Sequence, residues 1–178
     1  MLKKIVIIGP ESTGKSTLCT QLANHYQSKW VPEYAREYLL ENGTDYSFDD
    51  LLTIAKGQIA LEEKCFGELN ETKNSAPLFI DTDMYVMKVW CEFVFGKCHP
   101  FILEQIVERK YDLYLLCKTD LPWAKDDLRE YPDLETRETL YKIYLDMMIN
   151  QHVPWVEISG TDNERTQKAI RAIDSFSF

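Results

Sequence analysis

Eight consecutive residues, Gly9-Pro10-Glu11-Ser12-Thr13-Gly14-Lys15-Ser16, set glycines, a lysine and a hydroxyl at the spacing of a phosphate-binding loop. They follow the apolar run Ile5-Val6-Ile7-Ile8 and lead into Thr17-Leu18, so strand, glycine loop and helix come in the required order. In such a loop successive backbone N–H groups curl around phosphate oxygens, and the helix amino end faces them with unpaired donors and partial positive charge. Gly9, Glu11, Ser12, Thr13, Gly14, Lys15, Ser16 and Thr17 are therefore the candidate nucleotide contacts. Lys15 would reach the β- and γ-phosphates, Ser16 would offer its hydroxyl to Mg²⁺, and Gly14 would let the backbone approach without a Cβ in the way. A plain glycine turn between a strand and a helix calls for no Lys-Ser pair at this spacing. The chemistry implied is the binding of a nucleoside triphosphate with Mg²⁺.

Three further clusters could act beside it. Asp81 closes the apolar run Pro77-Leu78-Phe79-Ile80, where a carboxylate could hold Mg²⁺ together with Ser16. Asp83 lies two residues on; alternation along an extended segment would put both carboxylates on one face, one for the metal and one for an acceptor hydroxyl. The competing reading makes them turn-forming acids that cap the next helix. Glu33, Arg36 and Glu37 follow the short run Trp30-Val31-Pro32, at the strand end where open α/β sheets hold ligands. Glu33 could accept a proton from an acceptor hydroxyl, and the fork of Arg36 could fix a phosphate or a diol. Glu37 either pairs with Arg36 or faces solvent. The charged excursion from Leu121 to Asp133 reads either as a lid that brings Arg129, or secondarily Lys125, to the transferred group, or as a plain solvated loop.

The elements that must hold these residues alternate between strand and helix. Strands are expected at Lys3 to Ile8, Trp30 to Pro32, Pro77 to Ile80, Asp112 to Cys117 and Val153 to Ser159. A polar break at Glu41 to Asp45 precedes a long helix from about Asp49 to Glu71, with Leu51, Leu52, Ala55, Ile59, Phe66 and Leu69 inward. Two helical pieces, Met84 to Phe95 and Pro100 to Arg109, precede the fourth strand; Thr161 to Glu164 resembles a capping box opening the last helix. The pattern predicts an α/β fold: a P-loop NTPase three-layer sandwich around a five-stranded parallel sheet, one domain over residues 1–178 with a small lid near 121–133.

Composition narrows what the site serves. Twenty basic against twenty-nine acidic residues leave a net charge of −9, the wrong sign for gripping nucleic acid. The five cysteines, Cys19, Cys65, Cys91, Cys98 and Cys117, form no C-x-x-C pair, which points to a reducing compartment. Cys91, Cys98 and His99 lack the second ligand pair of a metal cluster, so ordinary buried thiols are the expectation. No apolar run is long enough to span a bilayer, and a cytoplasmic protein without membrane insertion is expected.

Taken together, Gly9 to Ser16, Glu33-Tyr34-Ala35-Arg36-Glu37-Tyr38, Asp81-Thr82-Asp83, Gly96 with His99-Pro100-Phe101, and Pro122-Trp123 with Asp126, Asp127 and Arg129 resemble the ribosylnicotinamide kinase domain of the NadR family. The resemblance covers most of the chain. It implies that ATP phosphorylates the 5′-hydroxyl of nicotinamide riboside to give nicotinamide mononucleotide, with a functional link to a transporter of that nucleoside. A flat, permanently cationic pyridinium favours aromatic faces near carboxylates. Tyr85, Trp90 and Phe93 could form such a cup, with Trp123 closing from the lid, although Trp90 and Phe93 equally suit a core. Adenine would lie at Ser159-Gly160-Thr161. A different small-molecule kinase of this fold, or a nucleotide-sensing interaction module, stands as the alternative.

Overall fold

Five short runs of branched and aromatic residues form the strands of the computed structural model, which describes residues 2–72 and 75–176. They are β1 (Lys4–Ile8), β2 (Trp30–Val31), β3 (Leu78–Asp81), β4 (Leu113–Cys117) and β5 (Trp155–Ile158). All pair in parallel, in the order β2-β3-β1-β4-β5. Ile5 to Ile8 and all of β3 and β4 are buried, as unbroken apolar strands covered on both faces must be. The helices are α1 (Lys15–His25), α2 (Tyr34–Asn42), α3 (Phe48–Glu71), α4 (Met84–Phe95), α5 (Pro100–Glu108), α6 (Leu134–Asn150) and α7 (Asp162–Ser175). None of the described helices is long and apolar enough to cross a membrane.

Strand alternation divides the core between two helical layers. Ile5, Ile7, Phe79, Leu113 and Leu115 pack with Leu18 and Leu22 of α1 and with Ala169 and Ile173 of α7. Val6, Ile8, Leu78, Ile80, Tyr114 and Leu116 face α3, α4 and α6. A third cluster joins α2 to α5 through Ala35, Leu51, Ile54, Met87 and Ile102. The expected three-layer sandwich around a parallel sheet is therefore present.

Two expectations about the helices need correction. α2 runs through Glu41 and Asn42 and is capped by Gly43, so the first two residues of the supposed polar break are helical. The inner face of α3 carries Gln58 and Glu62 as well as Leu51, Ile54, Ala55 and Leu69, whereas Leu52, Ile59 and Phe66 are only half-buried. The reason is pairing. Glu62 accepts from Lys4 Nζ and Arg109 Nη2, both at 3.0 Å, and from the Tyr111 hydroxyl at 2.9 Å, so a buried carboxylate is compensated.

The topology fixes where a ligand can sit. From β1 the chain crosses to the β2/β3 side, then returns past β1 to β4, leaving a crevice at the carboxyl ends of β1 and β3. Ile7 pairs with Asp81 in register, so the glycine loop after β1 and the carboxylate ending β3 are neighbours.

Candidate active site

The glycine loop is built for close backbone approach. Gly9 lies at φ 139°, and a Cβ there would stand 2.6 Å from the Cys117 carbonyl oxygen. Gly14 caps α1 at φ 77° with no side-chain cap, and the first turn of α1 holds no acid, so its amides are left for an anion. Within the loop, the Thr13 hydroxyl donates to the Pro10 carbonyl at 2.7 Å. Lys15 Nζ donates to the same carbonyl at 3.0 Å, with its ammonium folded over the loop.

Ser16 donates its hydroxyl to Asp81 Oδ2. Asp81 is fully buried, and its other oxygen, Oδ1, has no partner among the described residues. Burial pushes the Asp81 carboxyl up to about 6; Lys15 opposes the shift and the nearby Glu33 adds to it. A buried carboxylate oxygen left unpaired beside a serine hydroxyl fits a Mg²⁺ ion, which takes few protein ligands and keeps several waters.

Glu33 is the amino cap residue of α2, but its side chain makes no capping bond, and it lines the cavity in front of the loop. The two acidic segments are tied together by Gln58, which is 1% exposed. Its Oε1 accepts the Tyr34 N–H at 2.7 Å, and its Nε2 donates to the carbonyls of Pro32 at 3.2 Å and Asp81 at 3.4 Å. Hydropathy spacing gave no sign of this residue, since a helix-face glutamine reads as solvent-facing.

Asp83 does not join Asp81 on one face. Thr82 between them sits at φ 81°, which breaks the alternation, and turns Asp83 into the core as the cap of α4. Its carboxylate accepts the Tyr85 and Val86 N–H groups at 3.0 and 3.3 Å and the Tyr114 hydroxyl at 2.7 Å. Burial pushes it up to about 6 against those hydrogen bonds. The helix-cap reading accounts for it.

The lid, residues 121–133, lies over the loop. The Glu11 carboxylate accepts the N–H groups of Glu130 (3.1 Å) and Tyr131, and burial raises its pKa. The Ala124 N–H donates to Ser12 Oγ at 3.0 Å, and Arg129 Nη1 lies 3.5 Å from the same oxygen. Arg36 pairs with Asp126 at 2.9 Å rather than with Glu37, which is exposed. Lys125 is exposed as well.

Between loop and lid is a cavity of about 450 Å³, within the usual range of small-molecule sites. Gly9 to Ser12 and Ser16 form one wall, Glu33 and Arg36 another, and Trp90, Phe93, Tyr131 and Tyr144 an aromatic one. The Trp90 indole N–H donates to the Tyr46 hydroxyl at 2.8 Å, which fixes the ring. Phe93 meets Tyr131 edge to face at 5.4 Å.

A family model described as AAA domain matches residues 4–165. The chain belongs to this AAA-domain family. Its sequence is 28% identical over 165 residues to the trifunctional NAD biosynthesis/regulator protein NadR of Salmonella typhimurium, a match covering 90% of this chain and 39% of that protein. Crystal structures of NadR in complex with NR and with NAD and AMP-PNP superpose with TM-scores of 0.81 and 0.77, at 24% and 22% identity. Both cover 99% of this chain and about half of theirs, 50% and 49%. The thymidylate kinase of Ehrlichia chaffeensis shares the fold at TM-score 0.64 and 13% identity, covering 96% of this chain and 98% of that one. The chain thus has a P-loop kinase fold similar to NadR and spans about two fifths of the length of the curated relative it matches.

Two sequence-predicted contacts of this AAA domain, Tyr85 and Trp123, lie elsewhere than expected. Tyr85 packs against Tyr114 in the core at 5.8 Å and does not line the cavity. Trp123 does not close the aromatic wall; its ring takes the guanidinium carbons of Arg129 at 5.8 Å and Arg137 at 5.4 Å, and Tyr131 fills the place expected of it. Ser159 and Gly160 lie outside the cavity but are tied to the loop by buried Arg165, which donates to the carbonyls of Gly160, Thr13 and Lys118, each at 2.9 Å. Asp120 pairs with Arg165 and accepts the Gly160 N–H at 2.7 Å. The Cys98-His99 stretch is a packing feature: His99 stacks on Phe48 at 3.7 Å, and its Nε2 lies 2.8 Å from the Phe48 carbonyl.

Proposed function

We propose that this domain is a ribosylnicotinamide kinase, transferring the γ-phosphate of ATP to the 5′-hydroxyl of nicotinamide riboside to give nicotinamide mononucleotide. The observation that carries the reading is the cavity wall. Four acids line it, Glu11, Glu33, Asp126 and Glu130, against two arginines, Arg36 and Arg129, beside the rings of Trp90, Phe93 and Tyr131. Such a hollow suits a flat cation, for which an aromatic face contributes about 0.5 to 2 kcal/mol. It opens onto the loop that would hold the triphosphate.

In this reading the loop amides and Lys15 bind the phosphates, and Arg129 reaches the transferred group from the lid. Ser16 and Asp81 are the residues that would hold Mg²⁺, which when bound would neutralise phosphate charge. Glu33 orients the acceptor hydroxyl and takes its proton as the oxygen attacks the γ-phosphorus. Asp83, fully engaged, supports the helix that carries Trp90. The aromatic wall and the closed lid exclude water from the transfer. The kinase domain would act in the cytoplasm, on substrate delivered by a nicotinamide riboside transporter.

The test is an acceptor panel. Purified protein with MgATP and nicotinamide riboside is expected to release ADP and form the mononucleotide, and Lys15→Ala is expected to lower turnover by about a hundredfold or more while the fold is kept. The fold shared with thymidylate kinase supports a second reading, in which the acceptor is another nucleoside or a nucleoside monophosphate. A panel preferring thymidine, cytidine or a monophosphate would replace the first reading with that one.

A further inference from the structure

We infer that Arg137, on α6, binds the phosphate tail of the nucleotide as a second arginine beside Arg129; the inference rests on the reading of residues 9–16 as the nucleotide site. Arg137 is 3% exposed, and its Nε and Nη1 have no partner among the described residues. A guanidinium is always charged, and burying it unpaired is strongly unfavourable, so such a group points to an anion that completes it. Asp133, one turn earlier, attracts Arg137 through space, but its carboxylate is exposed and engaged by the Thr136 N–H at 2.7 Å as the cap of the helix, so it leaves Nε and Nη1 of Arg137 without a hydrogen bond.

The surroundings say which anion. Arg137 and Arg129 converge on one indole, that of Trp123, at 5.4 and 5.8 Å. A neutral ring offsets little of the repulsion between two cations brought together, whereas a polyphosphate offsets it fully. Arg129 reaches Ser12 of the glycine loop. Leu121, at the start of the lid, lies over Gly14, with its Cδ1 3.0 Å from where a Cβ would stand. The inward face of α6 is Arg137, Leu140, Tyr141, Tyr144 and Met148, and Leu140 and Tyr144 line the cavity in front of the loop. Arg137 is the next position on that face, toward the lid.

Full-length wild type, Arg137→Met and Arg137→Lys would be titrated calorimetrically with AMP, ADP and AMP-PNP in the presence of Mg²⁺, and melted without ligand. Arg137→Met is expected to melt at or above the wild-type temperature, because an uncompensated buried charge is gone. Its affinity for ADP and AMP-PNP should fall about tenfold to a hundredfold, while AMP changes less than about threefold. Arg137→Lys should recover part of the loss, since it keeps the charge without the fork. A variant that melts well below wild type, or does not fold, makes Arg137 a packing residue of Trp123 and overturns the inference. So does a loss for AMP as large as that for ADP. Wild-type protein that bound none of the three would overturn the nucleotide reading itself, and this assignment with it.

Discussion

Each polar atom of Gln58 is committed to the backbone of another segment, and those segments carry Glu33 and Asp81. Replacing it with leucine keeps the volume but leaves one amide and two carbonyls short of a partner in the core. With unsatisfied buried groups costing about 1 to 3 kcal/mol each and some relaxation, Gln58→Leu should destabilise by about 2 to 4 kcal/mol, seen as a melting temperature lower by about 5 to 15 °C. Below that temperature the folded variant should lose turnover about tenfold or more with a nearly unchanged KM for ATP, because the loop itself is untouched. A variant that loses stability yet keeps full turnover would reduce Gln58 to a strut. Lys15, Ser16 and Asp81 differ from it in how they are recognised. The roles proposed for them follow from residue type and spacing along the chain, so the sequence alone marks them as candidates. Gln58 works through contacts with residues 24 and 26 positions away, and nothing local marks it. Asp83 failed for the opposite reason: the alternation argument was sound for an extended segment, and one left-handed residue, Thr82, removed its premise.

The five strands and the helices α3, α4 and α5 were legible to within a residue or two, because their signals are local: apolar runs for β1, β3 and β4 and Pro100 at the first turn of α5. How elements touch was not. The α2 and α3 contact depends on Gly57, where a Cβ would lie 2.1 Å from the Tyr34 ring. Gly57→Ala should therefore destabilise by about 1 to 3 kcal/mol in denaturant unfolding even though alanine is the better helix former. Equal or higher stability would mean that α2 shifts freely, and that Glu33 is less firmly placed than the contact implies. The lid shows the same limit. Its charge was visible, its fastening was not: Glu11 holds the amides of Glu130 and Tyr131, and Tyr46 donates to Glu130 at 3.0 Å. Glu11→Ala should release the lid at a cost of about 1 to 2 kcal/mol, giving trypsin cleavage after Lys125 or Arg129 about tenfold faster or more, with the global melting temperature nearly unchanged. Unaltered cleavage would place the lid's anchor elsewhere.

At the scale of the whole molecule, the strand order puts the glycine loop and Asp81 side by side, and the net charge of −9 surrounds a cavity that is itself acidic. Shape alone would let that cavity accept several nucleosides. Charge separates them. Nicotinamide riboside carries a fixed positive charge on its ring; its reduced form has the same ribose and nearly the same outline, but is neutral and no longer aromatic. If the excess of two acids over the arginines and the faces of Trp90, Phe93 and Tyr131 recognise the cation, the reduced form should lose about 1 to 2 kcal/mol of binding. That is about five- to thirtyfold in kcat/KM, carried mostly by KM, because the 5′-hydroxyl and Glu33 meet the same way in both. Added salt should narrow the gap only slightly, since the interaction lies inside the closed lid. A nucleoside monophosphate, which brings two negative charges into the same walls, should be a poorer acceptor than either. Steady-state rates with the three acceptors at fixed MgATP decide the matter. Equal kcat/KM for the oxidised and reduced nucleosides would mean that the acidic, aromatic wall does not read charge, and the choice of nicotinamide riboside over other nucleosides would lose its physical basis.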